Sequence, residues 1–204
     1  MRAKICGVTH LDDARLAIQQ GAWALGFNFY PQSPRYIEPN AAADIIHALP
    51  ASVVKVGILI GAQADDATDL MRAVGLDLLQ VYEDMEAPLS LKKRMILALQ
   101  ASTHETLPSH DVLSQYAYLL LDAPKGADGV LGGSGRLSDW ELAATLARQY
   151  PLLLAGGLTP LNVRKAIKAV HPFAVDVASG VQCVPGRVDP SLLQDFLRQV
   201  NHEQ

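Results

Sequence analysis

The chain has 204 residues, 50% hydrophobic and 19% charged, a composition that excludes intrinsic disorder and suits a domain burying about 70% of its unfolded surface. Seventeen Lys and Arg against twenty-one Asp and Glu leave a net charge of -4, which supplies no overall basic field for nucleic acid. Cys6 and Cys183 form no closely spaced pair, so neither a disulfide framework nor a zinc knuckle is expected. No apolar run approaches the roughly 20 residues that span a membrane. A strand-like segment begins almost at once, leaving no room for a signal peptide. The expectation is a cytoplasmic protein with one domain over residues 1–204.

Along the chain, short apolar runs predict strands at 3–6, 24–29, 53–59, 78–81, 96–99, 118–121, 152–154 and 173–177. Several are almost continuously apolar, as strands covered on both faces are. Amphipathic stretches lie between them. Residues 11–20 carry Leu11, Ala14 and Ile18 at helical spacing, with Asp12 and Asp13 in the first turn and Gly21 beyond the end. Residues 40–49 carry Ala42, Ile45, Ile46 and Leu49, with Pro50 as a stop. Thr159 and Pro160 read as N-cap and first residue of a helix that 161–170 fills. Residues 85–95 make a poor helix, with Pro88 inside and a Lys-Lys-Arg cluster near the end. A last helix is predicted at 191–200.

Eight strand candidates alternating with about as many helices predict an α/β fold: a (β/α)8 TIM barrel with short loops. The exception to short loops is 122–137, with Gly126, Gly129, Gly132, Gly133 and Gly135; a loop of that length after a strand is often functional.

Period-2 alternation sorts the strand residues into two faces. Lys4 and Cys6 share a face opposite Ile5, and Gly26, Asn28 and Tyr30 lie opposite Phe27 and Phe29. In the third strand, Val54, Val56 and Ile58 are expected to cover helices, with Lys55, Gly57 and Leu59 opposite. Gln80, Asp122 and Asp176 fall near the ends of strands four, six and eight. Polar groups thus collect at the C-terminal strand ends, where such barrels place active sites; ordinary strand-end polar residues meeting solvent are the alternative. Lys4 and Asp176, on neighbouring strands at similar depth, are expected to pair.

Glycine turns follow the last two strands, Gly156-Gly157 and Ala178-Ser179-Gly180. Tight turns alone would explain either. In adjacent positions, with backbone N–H groups free to approach a ligand and a helix start beside them, they suit a phosphate. Cys6 is either a small buried hydrophobe or, beside the Lys4 ammonium, a thiolate of lowered pKa able to act as nucleophile or general base. Arg35, after strand two, is either a solvated arginine or a bidentate grip for a carboxylate at the barrel mouth. Cys183, in a turn before Pro185-Gly186, has no evident role.

These residues carry a resemblance. Lys4-Ile5-Cys6-Gly7 and Gly26-Phe27-Asn28-Phe29-Tyr30-Pro31, running into Ser33-Pro34-Arg35-Tyr36, resemble phosphoribosylanthranilate isomerase of tryptophan biosynthesis. So do Val54-Lys55-Val56-Gly57, Leu120-Leu121-Asp122-Ala123, Gly132-Gly133-Ser134-Gly135, Asp139-Trp140, Leu154-Ala155-Gly156-Gly157-Leu158-Thr159-Pro160, Asn162-Val163, Val175-Asp176-Val177, Ser179-Gly180-Val181 and Pro185-Gly186. The resemblance covers nearly the whole chain in order. It implies a metal-free, cofactor-free barrel catalysing an Amadori rearrangement of a small phosphorylated substrate, as a monomer or homodimer. By the same resemblance Cys6 matches the general base, Asp122 the general acid and Arg35 the binder of the anthranilate carboxylate. Gly156, Gly157, Ala178, Ser179 and Gly180 match the phosphate site, with Lys4, Asn28, Gln80 and Asp176 in support. The chain departs from the family's pattern after strand four, where Gln80-Val81-Tyr82-Glu83 replaces Gln-Leu-His-Gly and is expected to set Glu83 near the mouth. The glycine-rich loop also departs, with Ser134 for Thr and Arg136-Leu137-Ser138 for a Lys-Thr-Phe-like stretch. The alternative is a non-catalytic or altered-specificity phosphate-binding barrel. Indoleglycerol-phosphate synthase would want more strand-end Lys and Glu, and ribulose-phosphate epimerase a metal-binding His/Asp set.

Overall fold

The apolar runs form the strands, and turns open beyond them at residues such as Gly7 after the first and Asp122 after the sixth. A computed structural model describes residues 1–100, 107–123 and 139–201. Strands β1 (Arg2–Cys6), β2 (Ala24–Asn28), β3 (Val54–Leu59), β4 (Leu78–Val81), β5 (Met95–Leu99), β6 (Tyr118–Leu121), β7 (Leu152–Leu154) and β8 (Ala174–Val177) pair in sequence order. All pairs are parallel and β8 returns to β1, closing the barrel. Helices α1 (Leu11–Gln19), α2 (Pro39–His47), α3 (Ala64–Val74), α4 (Leu89–Lys92), α5 (His110–Leu113), α6 (Trp140–Ala147), α7 (Val163–Val170) and α8 (Pro190–Asn201) lie between and after the strands. The glycine-rich loop expected at 122–137, its two departures included, lies outside the described residues apart from Asp122 and Ala123.

The barrel has two apolar shells. Outward residues such as Ile5, Leu25, Phe27 and Leu79 pack with Ala14, Ile46, Met71 and Phe196 of the helices; each large side chain buried this way is worth about 1.5–3 kcal/mol. Inside, Ala24, Val56, Ile96, Leu120, Leu153 and Ala174 fill the axis. At the N-terminal end the rings of Trp23, Tyr118 and Phe173 pack with centroids 5.1–6.1 Å apart, and the Arg2 guanidinium lies 4.4 Å from the Phe173 ring centre. Apolar filling below leaves the C-terminal end for polar groups.

Two expectations need correction. In β3 the faces are reversed. Register pairs Gly26 with Val56 and Ile58 with Gln80, so Val54, Val56 and Ile58 point to the axis. Lys55 points outward, its Nζ 3.2 Å from Asp77 Oδ2, and Gly57 lies under Leu76 and Phe29. The start of α7 is Val163, with Asn162 as its N-cap residue. Thr159 and Pro160 belong to the preceding turn, because Asn162 Oδ1 accepts from Thr159 N at 2.8 Å and its Nδ2 donates to the Gly157 carbonyl at 2.9 Å. As expected of a poor helix, the stretch 85–95 yields only the single turn α4, which Pro88 precedes. After β8 the chain also forms an antiparallel hairpin, β9 (Gln182–Val184) and β10 (Arg187–Val188).

Candidate active site

Lys4 is wholly buried, which an ammonium tolerates only with its donors satisfied. Its Nζ donates to Asp176 Oδ1 at 2.8 Å and to Gln80 Oε1 at 3.0 Å, and it interacts with the Cys6 thiol. Burial works against the ammonium, but Asp176 outweighs it with help from Cys6, and the Lys4 pKa is pushed up to about 12. The expected Lys4–Asp176 pair is therefore present, Lys4↔Asp176 being register partners of β1 and β8.

Above Lys4, Cys6 ends β1. The expectation of a lowered thiol pKa is reversed. Burial pushes it up, and this outweighs the Lys4 ammonium, because Asp176 both neutralises that charge and repels a thiolate. Asp122 follows β6 and accepts from Ala123 N at 2.8 Å. Burial is the first cause that raises its pKa to about 6; the Asp176 charge adds to it, while the Ala123 hydrogen bond and Lys4 oppose it. A carboxyl in that range can hold or release a proton near neutral pH.

Cys6, Asn28, Arg35, Gln80, Asp122 and Asp176 all line one cavity of about 370 Å³, together with Gly156, Gly157, Ala178, Ser179 and Gly180. Every predicted site residue thus faces a common space except Lys4, which sits beneath it. Asn28 organises the loop after β2: its Oδ1 accepts from Tyr30 N at 2.9 Å and its Nδ2 donates to Ser33 Oγ at 3.1 Å. Arg35 Nε donates to Gln182 Oε1 at 2.8 Å, and Gln182 Nε2 donates to the Cys6 carbonyl at 3.3 Å. Gln182 is neutral, and no carboxylate among the described residues pairs with Arg35. Its guanidinium, though burial works against its charge, keeps the ability to meet an anion.

The two glycine turns form one cradle. Gly156 and Gly157 adopt left-handed φ of 85° and 62°, a conformation that favours glycine at both positions. A Cβ on Gly180 would collide with the Leu158 carbonyl oxygen, so the close approach of the turns requires glycine there. Residues of both turns line the central cavity.

Sequence reasoning missed two residues. Gln182 had no signal beyond its place after the Ser179-Gly180-Val181 turn. Tyr82 was visible only as a departure from the family's pattern; it lines the cavity and its hydroxyl accepts from Gln80 Nε2 at 3.2 Å. Glu83, expected near the mouth, is exposed and lines a neighbouring cavity of about 350 Å³ with Asp84 and Glu86; it does not line the central one. Cys183 is exposed in β9, its Sγ 3.6 Å from the Arg187 carbonyl. Among the described residues no cluster of three or more His, Cys, Asp or Glu is placed to hold a metal, and no helix is long and apolar enough to cross a membrane.

Fold and cavity together define a (β/α)8 barrel with a thiol, a carboxyl of raised pKa and two glycine turns around one space at its C-terminal face. Comparison places it further: a profile of the family described as N-(5'phosphoribosyl)anthranilate (PRA) isomerase matches residues 3–199. The N-(5'-phosphoribosyl)anthranilate isomerase of Citrifermentans bemidjiense is 42% identical over 200 residues, covering 97% of this chain and 96% of that one. The phosphoribosyl anthranilate isomerase of Thermotoga maritima superposes with a TM-score of 0.84 at 34% identity, covering 99% of both chains. A further isomerase structure, in complex with reduced 1-(o-carboxyphenylamino)-1-deoxyribulose 5-phosphate, superposes with a TM-score of 0.78 at 32% identity, again over 99% of both chains. The chain belongs to the phosphoribosylanthranilate isomerase family.

Proposed function

We propose that this barrel catalyses the Amadori rearrangement of N-(5-phosphoribosyl)anthranilate to 1-(2-carboxyphenylamino)-1-deoxyribulose 5-phosphate in tryptophan biosynthesis. Cys6 is the general base and Asp122 the general acid. The observation that carries the reading is that these two groups, from β1 and from the end of β6, line one cavity with the glycine cradle and Arg35 on its walls. The phosphate occupies the cradle of Gly156, Gly157, Ala178, Ser179 and Gly180, and the anthranilate carboxylate meets Arg35.

Neutral Asp122 gives its proton to the ribose ring oxygen as the C1–O bond breaks and the nitrogen lone pair forms a C1=N iminium. Cys6, as thiolate, removes the C2 proton; the C–H pair becomes C1=C2 and the iminium π pair returns to nitrogen. The enolamine then loses its C2 hydroxyl proton and gains one at C1, giving the ketone. Atoms and electrons balance without a redox partner. The thiol's raised pKa makes Cys6 a strong base once ionised, and the cationic iminium beside it favours the thiolate at the step that uses it. With a pKa of about 6, roughly one Asp122 in ten is protonated at pH 7.

The test is the fluorescence of freshly prepared phosphoribosylanthranilate with and without purified protein. The wild-type chain should consume it, and Cys6→Ala and Asp122→Asn should each lower kcat by at least about 10²-fold with the fold intact. An inert wild-type protein rejects the activity. Normal turnover by either variant rejects the role of that residue.

A further inference from the structure

Lys4 also sets the direction of a hydrogen-bond chain that crosses the barrel. An ammonium has donors and no acceptor, so the group of Gln80 that faces Lys4 at 3.0 Å must be its amide oxygen. That choice removes the usual ambiguity of an amide side chain and turns Gln80 Nε2 toward Tyr82. The amide donates to the Tyr82 oxygen at 3.2 Å. The hydroxyl is therefore an acceptor on its Gln80 side, and its own proton is left to point elsewhere. Tyr82 and Gln80 both line the central cavity with Cys6 and Asp122.

From this chain we infer that Tyr82 is a substrate-binding donor, presenting its hydroxyl proton to an uncharged oxygen of the substrate's sugar beside the reacting carbons. The inference rests on the proposed function and deepens it. The class of acceptor follows from the charges around Tyr82. Asp122 and Asp176, and Cys6 once ionised, bear on its hydroxyl with negative potential, which disfavours a carboxylate or phosphate there; those groups have Arg35 and the glycine cradle. Burial, reinforced by that potential, raises the phenol well above its usual range, so the donor keeps its proton throughout the working pH range. Each link also polarises the next: the ammonium draws on the Gln80 oxygen, the amide proton draws on the Tyr82 oxygen, and the phenolic proton becomes a better donor.

The test exploits the direction of the chain. Tyr82→Phe removes the donor. Gln80→Glu keeps an acceptor for Lys4 but replaces the amide donor with a second carboxylate oxygen, which now accepts the Tyr82 proton and withdraws it from the cavity. Affinity is read by calorimetry with reduced 1-(o-carboxyphenylamino)-1-deoxyribulose 5-phosphate, and turnover by fluorescence. In the wild-type background, Tyr82→Phe should weaken binding about 3- to 10-fold, as expected for one neutral hydrogen bond, and lower kcat/KM at least as much. In the Gln80→Glu background the same substitution should change binding less than about 2-fold, because the proton is already engaged. Equal losses in the two backgrounds, or no loss in either, overturn the inference. Failure of the wild-type chain to bind the analogue or turn over substrate would instead strike at the proposed function. Thermal melting of each variant shows that the losses do not come from unfolding.

Discussion

Asp122→Asn should make the protein more stable at neutral pH while disabling it. The carboxyl is only 7% exposed, and its pKa is raised from 3.8 to about 6, so the folded state resists its ionisation. The contribution of Asp122 to stability is complete below pH 3.8 and is lost as pH rises through about 6. A shift of about two units corresponds to roughly 3 kcal/mol lost above pH 7, and to only about 1 kcal/mol lost at pH 4.5. Asparagine does not titrate and retains an oxygen for the Ala123 N–H. Relative to wild type, the variant should therefore gain about 2 kcal/mol on going from pH 4.5 to 7.5, or roughly 4–8 °C in Tm for a chain of this size. Thermal melts of both proteins across that pH range measure it, with the contributions of all other titrating groups cancelling in the difference. Parallel Tm profiles would refute the claim that burial raises the pKa of this carboxyl.

Other perturbations separate the parts of the site. Lys4→Met removes the partner of Asp176 and should cost about 3–5 kcal/mol in denaturant unfolding, while a thiol titration should find the Cys6 pKa raised further. Arg35→Ala should raise KM about 10- to 100-fold, the worth of charge-assisted hydrogen bonds, with a smaller effect on kcat; an unchanged KM in steady-state kinetics counts against carboxylate binding there. Gly180→Ala drives a methyl group into the Leu158 carbonyl, which is backbone and cannot rotate aside. It should lower Tm, by the about 1–3 kcal/mol of stability typical of overpacking, and, by calorimetry, weaken binding of the phosphorylated analogue more than about 10-fold.

Much of the barrel could be read from the chain because runs such as Leu119-Leu120-Leu121 and Leu152-Leu153-Leu154 have few alternatives to a doubly covered strand. The faces of β3 were not legible for the same reason: both sides of a barrel strand are apolar, and alternation distinguishes two faces without saying which is inner. Lys55 was assigned inward, but Asp77 waits for it outside. At α7, Thr159-Pro160 has the composition of a helix start, and only the contacts of Asn162 show that its side chain braces the turn instead. The pairing of Lys4 with Asp176 followed from equal depth on neighbouring strands. The direction of the Cys6 shift did not, because it depends on how much of the Lys4 charge Asp176 takes up. Gln182 escaped notice because an amide has no chemistry of its own to announce it, and its importance lies in what it touches.

The ring stack of Trp23, Tyr118 and Phe173 has a consequence for the opposite end of the molecule. With the apolar axis residues it closes the base of the cylinder, so the ionisable groups above it face the cavity at the C-terminal end. On the proposed function, a substrate in that cavity stands between bulk water and the thiol and carboxyl. The plug thus turns an open-ended tube into a cup.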